Sequence, residues 1–178
     1  TNALGGLDTT AITVIDTVVT PPPPGNLVGN PGFETDLTGW STYGTATLAR
    51  VPGGHSGGYA MQVTGSGSFG CDDLPNWVPV VAGAGARYRM SAWVRSASNV
   101  GLAKIRVYEF QGTTQQGSTV YSQIVALSPT WVQLTADYTV LQAGSTLSIK
   151  VTDAPVAASE TYLVDDVSIT LLPPLAAL

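Results

Sequence analysis

The stretches Asn30-Pro31-Gly32-Phe33-Glu34 and Val164-Asp165-Asp166-Val167 stand near opposite ends of one long β-patterned region. Each sets carboxylates beside residues that must be buried: Glu34 follows Phe33, and Asp165 and Asp166 interrupt the apolar run Leu163 to Ile169. A strand buries a charge only where something neutralises it. Ca²⁺ is one economical answer, because it accepts carboxylate and carbonyl oxygens in flexible geometry. The two phrases therefore predict a β-sandwich whose first and last strands are tied together by an ion. Alternation with Val167 and Ile169 points Asp165 inward and Asp166 toward solvent.

Between the two phrases the pattern is β throughout. Candidate strands cover 45–51, 58–64, 76–82, 86–96, 103–110, 118–127, 131–140, 146–152 and 161–171. Turn signals separate them, among them Pro52-Gly53-Gly54, Gly83-Ala84-Gly85, Ser128-Pro129 and Ala143-Gly144. No window has a helical period. Short strands at this spacing predict an all-β antiparallel sandwich. In 131–140, Val132, Leu134, Ala136, Tyr138 and Val140 make a core face, and Leu147, Ile149 and Val151 make another. Tyr88, Met90, Ala92 and Val94 alternate with Arg87, Arg89, Ser91, Trp93 and Arg95. Ile105 and Val107 alternate with Lys104, Arg106, Tyr108 and Phe110.

Composition agrees and narrows the functional classes. Only 11% of the 178 residues are charged, and 20 are Gly and 12 Pro; low charge with many turn formers suits short strands and tight turns. A net charge of −5 argues against a nucleic-acid or anionic-membrane partner. No apolar run is long enough to insert in a membrane as a helix. Cys71 is the single cysteine, so no intrachain disulfide exists; it reads as a small buried residue.

Residues 1–20 read as the end of a preceding β domain, with Ile12 and Val14 on one face; the competing reading is an extra edge strand of the main domain. Pro21-Pro22-Pro23-Pro24-Gly25 is a semi-rigid linker, 26–172 the main domain and 173–178 a tail. Starting at Thr1 without Met, the chain reads as a piece of a longer protein with covalently linked neighbouring domains.

The run Leu27-Val28-Gly29-Asn30-Pro31-Gly32-Phe33-Glu34 with Gly39-Trp40 resembles the opening of carbohydrate-binding modules of families 4 and 9. Tyr88 to Arg95 resembles their central strand, and Trp131-Val132-Gln133-Leu134 with Leu163 to Ile169 resembles their closing strands. The start of the chain resembles the last hairpin of an immunoglobulin-like or PKD-like repeat. The resemblance implies a β-jelly-roll sandwich of two antiparallel sheets and a structural Ca²⁺ held by Glu34 and Asp165. The loop Gly53-Gly54-His55-Ser56-Gly57 would supply carbonyl ligands. It also implies a non-catalytic polysaccharide-binding module of a secreted, multidomain bacterial protein. The alternative is a structural or adhesive spacer with the same fold and no glycan site.

Glycan recognition stacks aromatic rings on the C–H faces of sugars and bonds their hydroxyls with polar neighbours. Trp93, Arg95, Arg106 and Tyr108 are the expected ligand-binding residues, extended by Tyr121 and Gln123. Trp93 and Tyr108 side by side on one open face would favour the glycan reading; a loop over either would favour the spacer. Trp40 and Trp131 are expected to plug the sandwich ends, while Trp77 sits in an open turn. Arg87, Arg89, Arg95, Lys104 and Arg106 fall within twenty positions. On one face they would form a basic strip for an acidic polysaccharide; the plainer reading pairs them with Glu109 or Asp137. His55, the only histidine, lacks the partners of a nucleophilic triad. The three glutamates Glu34, Glu109 and Glu160 form no glycosidase motif, so the chain is not expected to be an enzyme.

Overall fold

A computed structural model of the chain describes residues 25–74, 77–98, 101–154 and 159–175. The expected truncated repeat at 1–20, most of the proline linker and the last three residues lie outside these. Among the described residues there is no helix. The strands are β1 (Ser41–Tyr43), β2 (Thr47–Pro52), β3 (Tyr59–Gly65), β4 (Gly70–Asp72), β5 (Val78–Pro79), β6 (Arg87–Arg95), β7 (Leu102–Gln111), β8 (Thr114–Tyr121), β9 (Val125–Ala126), β10 (Val132–Thr139), β11 (Thr146–Ala154) and β12 (Glu160–Leu171).

They form the two antiparallel sheets of a β-jelly-roll sandwich. One sheet runs β10-β6-β12-β3-β2; the other runs β1-β4-β11-β7-β8, with β5 beside β11 and β9 beside β7. Alternation decides what lies between them. Tyr88, Met90, Ala92 and Val94 from β6, with Leu134, Ala136 and Tyr138 from β10, meet Ile105, Val107, Leu147, Ile149 and Val151 from the other sheet. Burial of this apolar surface is the main favourable term of folding. Cys71 is a fully buried member of that core, and burial raises its thiol pKa above the ordinary range.

Three features depart from the sequence expectation. Strands expected at 76–82 and 118–127 are broken up, leaving two-residue β5 and separate β8 and β9. Consecutive strands β6 and β7 belong to different sheets. The register of β12 against β6 jumps between Asp165 and Ser168, and Asp166 takes a φ of 45°. This β-bulge inserts an extra residue and flips the alternation. Val164 and Val167 both face the core, whereas Asp165 pairs with Trp93 on the outer face of its sheet. Asp165 is buried, as expected, but under a loop rather than between the sheets.

Glu109 is also placed differently from the pairing expected with the basic strip. It shares the inward row of Ile105 and Val107 and is fully buried. Its carboxylate accepts bonds from the Tyr138 hydroxyl (2.9 Å), the Leu141 and Gln142 amides (2.8 Å each) and the Ser145 hydroxyl (2.6 Å). Burial alone would raise its pKa, but these donors together hold it below the ordinary glutamate value. A depressed carboxyl stabilises the fold above its unfolded pKa, and that contribution is lost as pH falls through the folded value. Glu109→Gln should therefore cost about 1–3 kcal/mol in urea denaturation at neutral pH. The difference should shrink as pH falls below about 4.

Candidate functional site

The outer face of the seven-stranded sheet carries a row set by strand register. Ser41, Asp72, Lys150, Arg106 and Tyr121 lie opposite one another across β1, β4, β11, β7 and β8. The adjacent row brings Tyr43 across to Thr152 and Lys104, and Ser148 faces Tyr108. Tyrosines and cations interleave. The Arg106 Cζ lies 5.2 Å from the Tyr43 ring centroid and 6.0 Å from that of Tyr121. Lys150 Nζ lies 4.9 Å from Tyr43 and 5.0 Å from Tyr108, and Lys104 Nζ lies 5.2 Å from Tyr121. Trp77 stacks on Phe110 at 4.1 Å with planes 6° apart, and Tyr108 follows Phe110 at 6.1 Å. Tyr121 is 52% exposed. Gln123, just beyond β8, is exposed.

The charges on this face are unequally satisfied. Lys150 pairs with Asp72 at 2.7 Å. Arg106 donates to neutral oxygens: Thr152 Oγ1 (3.2 Å), Tyr43 Oη (3.1 Å) and Ser68 Oγ (3.3 Å). These bonds fix the guanidinium without neutralising it. Among the described residues, neither Lys104 nor Arg106 is in an ion pair.

The outer face of the five-stranded sheet is closed where Trp93 stands. His55, from the loop between β2 and β3, stacks on Trp93 at 3.9 Å with planes 14° apart, and Trp131 meets His55 edge-on at 5.7 Å. Arg95 donates to the Gly53 carbonyl (3.0 Å), and its Cζ lies 4.9 Å from the Trp131 ring. The expected set Trp93, Arg95, Arg106 and Tyr108 is therefore not one face. Trp93 and Arg95 serve the loop-covered sheet, whereas Arg106, Tyr108 and Tyr121, with Gln123 nearby, serve the other. The basic strip divides likewise: Arg87 and Arg89 pair with Asp137 on the first sheet (3.3 and 2.7 Å). Arg89 holds the Asp137 carboxyl below its ordinary pKa. Alternation shows which residues face outward but not which sheet a strand joins.

Two carboxylates hold the loop over Trp93. Asp165 Oδ2 accepts the amides of His55 (2.6 Å) and Ser56 (3.3 Å), and its Oδ1 accepts the Asp166 amide (2.8 Å). Burial raises the Asp165 pKa, against which these amides pull it down. Glu34 accepts the amides of Gly58 (3.0 Å) and Tyr59 (3.1 Å). Asp166, half-exposed rather than free, binds His55 Nδ1 and Ser56 Oγ, each at 2.7 Å. At Gly57, with a φ of 63°, a Cβ would collide with the Glu34 carboxylate. Arg50 donates to the carbonyls of Phe33 and Glu34 and lies over the Tyr59 ring. The opening segment is laid along β12 by Leu27 N to Ile169 O and Val167 N to Pro31 O, 2.9 Å each. Asn26 adds a side-chain bond to the Val167 carbonyl (2.8 Å). No Lys or Arg pairs with Glu34 or Asp165 among the described residues. Two carboxylates that converge on one loop from outside it, beside that loop's carbonyls, are a hard-oxygen donor set compatible with Ca²⁺.

Sequence reasoning missed Tyr43, Asp72 and Lys150. Lys150 had a signal, since it falls between the inward Ile149 and Val151; Tyr43 and Asp72 sit in three-residue strands that show no period.

Comparison with known proteins places this geometry. The family model described as "Carbohydrate binding domain", covering families 4 and 9, matches residues 25–157. No curated protein sequence matches the chain. Among solved structures, the CBM22-1–GH10 modules of Clostridium thermocellum endo-1,4-beta-D-xylanase 10B, complexed with xylohexaose, align at 20% identity and TM-score 0.64. That alignment covers 86% of this chain and 30% of the xylanase chain. The CBM22-1 xylan-binding domain from Paenibacillus barcinonensis Xyn10C aligns at 20% identity and TM-score 0.60, over 82% of this chain and 94% of that one. TmCBM61, in complex with beta-1,4-galactotriose, aligns at 22% identity and TM-score 0.58, over 82% and 98%. At these identities the structures speak for the fold, and the family match over most of the chain speaks for membership. The chain belongs to the carbohydrate-binding domain family of families 4 and 9 and has a β-jelly-roll fold.

Proposed function

We propose that the domain binds a polysaccharide across the outer face of the seven-stranded sheet and carries out no chemistry of its own. Its place would be in a secreted, multidomain bacterial protein, where it would keep covalently linked modules close to the polymer. One observation carries this reading: Tyr43, Tyr108 and Tyr121 interleave with Lys104, Arg106 and Lys150 on the outer face of the seven-stranded sheet, where Tyr121 is exposed. Rings of this kind offer flat apolar surface to pyranose C–H faces, and the fixed guanidinium and ammonium groups bond hydroxyl oxygens. The lack of ion pairs at Lys104 and Arg106 further suits a ligand bearing carboxylates, such as a uronate-substituted polymer. Xylan, xylohexaose and beta-1,4-galactotriose, named for the structural neighbours, support an extended, β-1,4-linked chain. The covering of Trp93 by His55 weighs toward a spacer with no glycan site; the tyrosine face is what keeps glycan binding the favoured reading.

Affinity electrophoresis against neutral and acidic polysaccharides tests this. Tyr121→Ala should weaken retardation by about tenfold, on the order of 1.4 kcal/mol. Lys104→Gln should selectively weaken the acidic members and reduce the salt dependence. Arg89→Ala, on the other sheet, should behave as wild type. Absence of retardation by every polymer would favour the spacer.

Structural Ca²⁺ is the second part of the proposal, with Glu34 and Asp165 holding it beside the loop of Gly53 to Gly58. The ion would neutralise two carboxylates that otherwise rely on amide dipoles alone. Chelation should lower the melting temperature, by roughly 5–10 °C if the ion had been at a hundredfold excess over Kd. The drop should be smaller in Glu34→Gln. An unchanged melting curve and no metal in the purified protein would remove this site.

A further inference from the structure

A different pair of carboxylates meets where β11 ends, β12 begins and β7 starts. Asp153 is fully buried and Glu160 is 5% exposed. Both converge on Gly101, which takes a φ of 103°. A Cβ at that glycine would lie 2.8 Å from Glu160 Oε2 and 3.4 Å from Asp153 Oδ1. The backbone approach is therefore closed to any side chain on two counts, space and conformation. Asp153 Oδ1 accepts the Leu102 amide at 3.0 Å. Glu160 is different: both its carboxylate oxygens are buried and neither has a hydrogen-bond partner among the described residues.

No basic side chain neutralises Glu160. The chain has seven Lys and Arg. Arg50 is spent on the Phe33 and Glu34 carbonyls, Arg87 and Arg89 on Asp137, and Arg95 on Gly53 and Trp131. Lys104, Arg106 and Lys150 serve the outer face of the seven-stranded sheet. His55 is bound to Asp166. A buried carboxylate without a partner is among the most costly groups a fold can hold. Its neighbour here is a second carboxylate, which worsens the electrostatics unless a cation lies between them. Two carboxylates gathered against a glycine backbone are hard oxygen donors suited to Ca²⁺ rather than to a soft metal.

We propose that Asp153 and Glu160 hold a divalent cation of the Ca²⁺ class, at a site separate from Glu34 and Asp165. The ion pins the end of β11 and the start of β12 to the start of β7. It acts on the same sandwich from a different pair of connections, so its loss loosens that end without freeing the loop over Trp93.

The test uses Ca²⁺ alone as probe, on protein stripped with chelator and dialysed. Bound metal is counted by equilibrium dialysis, and melting is followed by circular dichroism. Wild type should bind one more equivalent of Ca²⁺ than Glu160→Gln. A Glu34→Gln/Asp165→Asn variant should retain an equivalent and still melt higher when Ca²⁺ is added. The melting order should also reverse. In chelator, Glu160→Gln should melt above wild type, because it removes an uncompensated charge; in saturating Ca²⁺ it should melt below. Equal stoichiometry in wild type and Glu160→Gln, or a melting order that ignores Ca²⁺, would overturn the proposal. Should the double variant fail to fold, the comparison of wild type with Glu160→Gln still decides.

Discussion

Burial of the Asp165 carboxylate on the outer side of a strand is the constraint from which the two faces of this molecule acquire different characters. A charge there needs donors, and the loop between β2 and β3 folds over to supply the amides of His55 and Ser56. Glu34 takes hold of the same loop from the opening segment. Once anchored, the loop lays the His55 ring flat on Trp93 and draws in Arg95 through the Gly53 carbonyl. One sheet thus spends Trp93 and Arg95 on its own loop. The other sheet keeps its tyrosines and cations for the surface.

Much of this was legible because strand alternation is a strong signal wherever a strand is long. The rows of β6, β7, β10 and β11 fall on the expected faces, and Glu109 had the periodicity of an inward residue although its charge suggested otherwise. The Phe33-Glu34 and Asp165-Asp166 phrases marked a real junction between the opening segment and the last strand. The bulge at Asp165–Ser168 was not legible, since period two cannot reveal an inserted residue. Nor was the crossing between β6 and β7, which separated Trp93 from Tyr108. Strands of two or three residues, such as β1, β4 and β5, are held by their neighbours' edges rather than by their own pattern.

Electrostatics organises a chain with few charges. Asp137 satisfies two arginines, and Asp72 satisfies Lys150. Glu109 is met by four neutral donors, which fasten the turn between β10 and β11 to the interior. Lys104 and Arg106 are in no ion pair among the described residues, as Arg50 and Arg95 are not, but they stand beside tyrosine rings on an outer face; Glu160 has neither an ion pair nor a hydrogen bond there. The two cations stand beside Tyr121, which is exposed, and Glu160 is buried at the start of β12. Under the two proposals above, the first two would meet a glycan and the third a cation.

The most direct measurement is a two-dimensional NMR titration of the domain with an acidic β-1,4-linked oligosaccharide, following backbone amides and tryptophan indoles. If the tyrosine face binds glycan, shifts run along β1, β4, β7, β8 and β11, centred on Tyr43, Arg106, Tyr108, Tyr121 and Lys150, with the Trp93 indole and the His55 loop unmoved. Shifts centred on Trp93, His55 and Trp131, with the tyrosine face silent, would contradict it and move the binding surface to the opposite sheet.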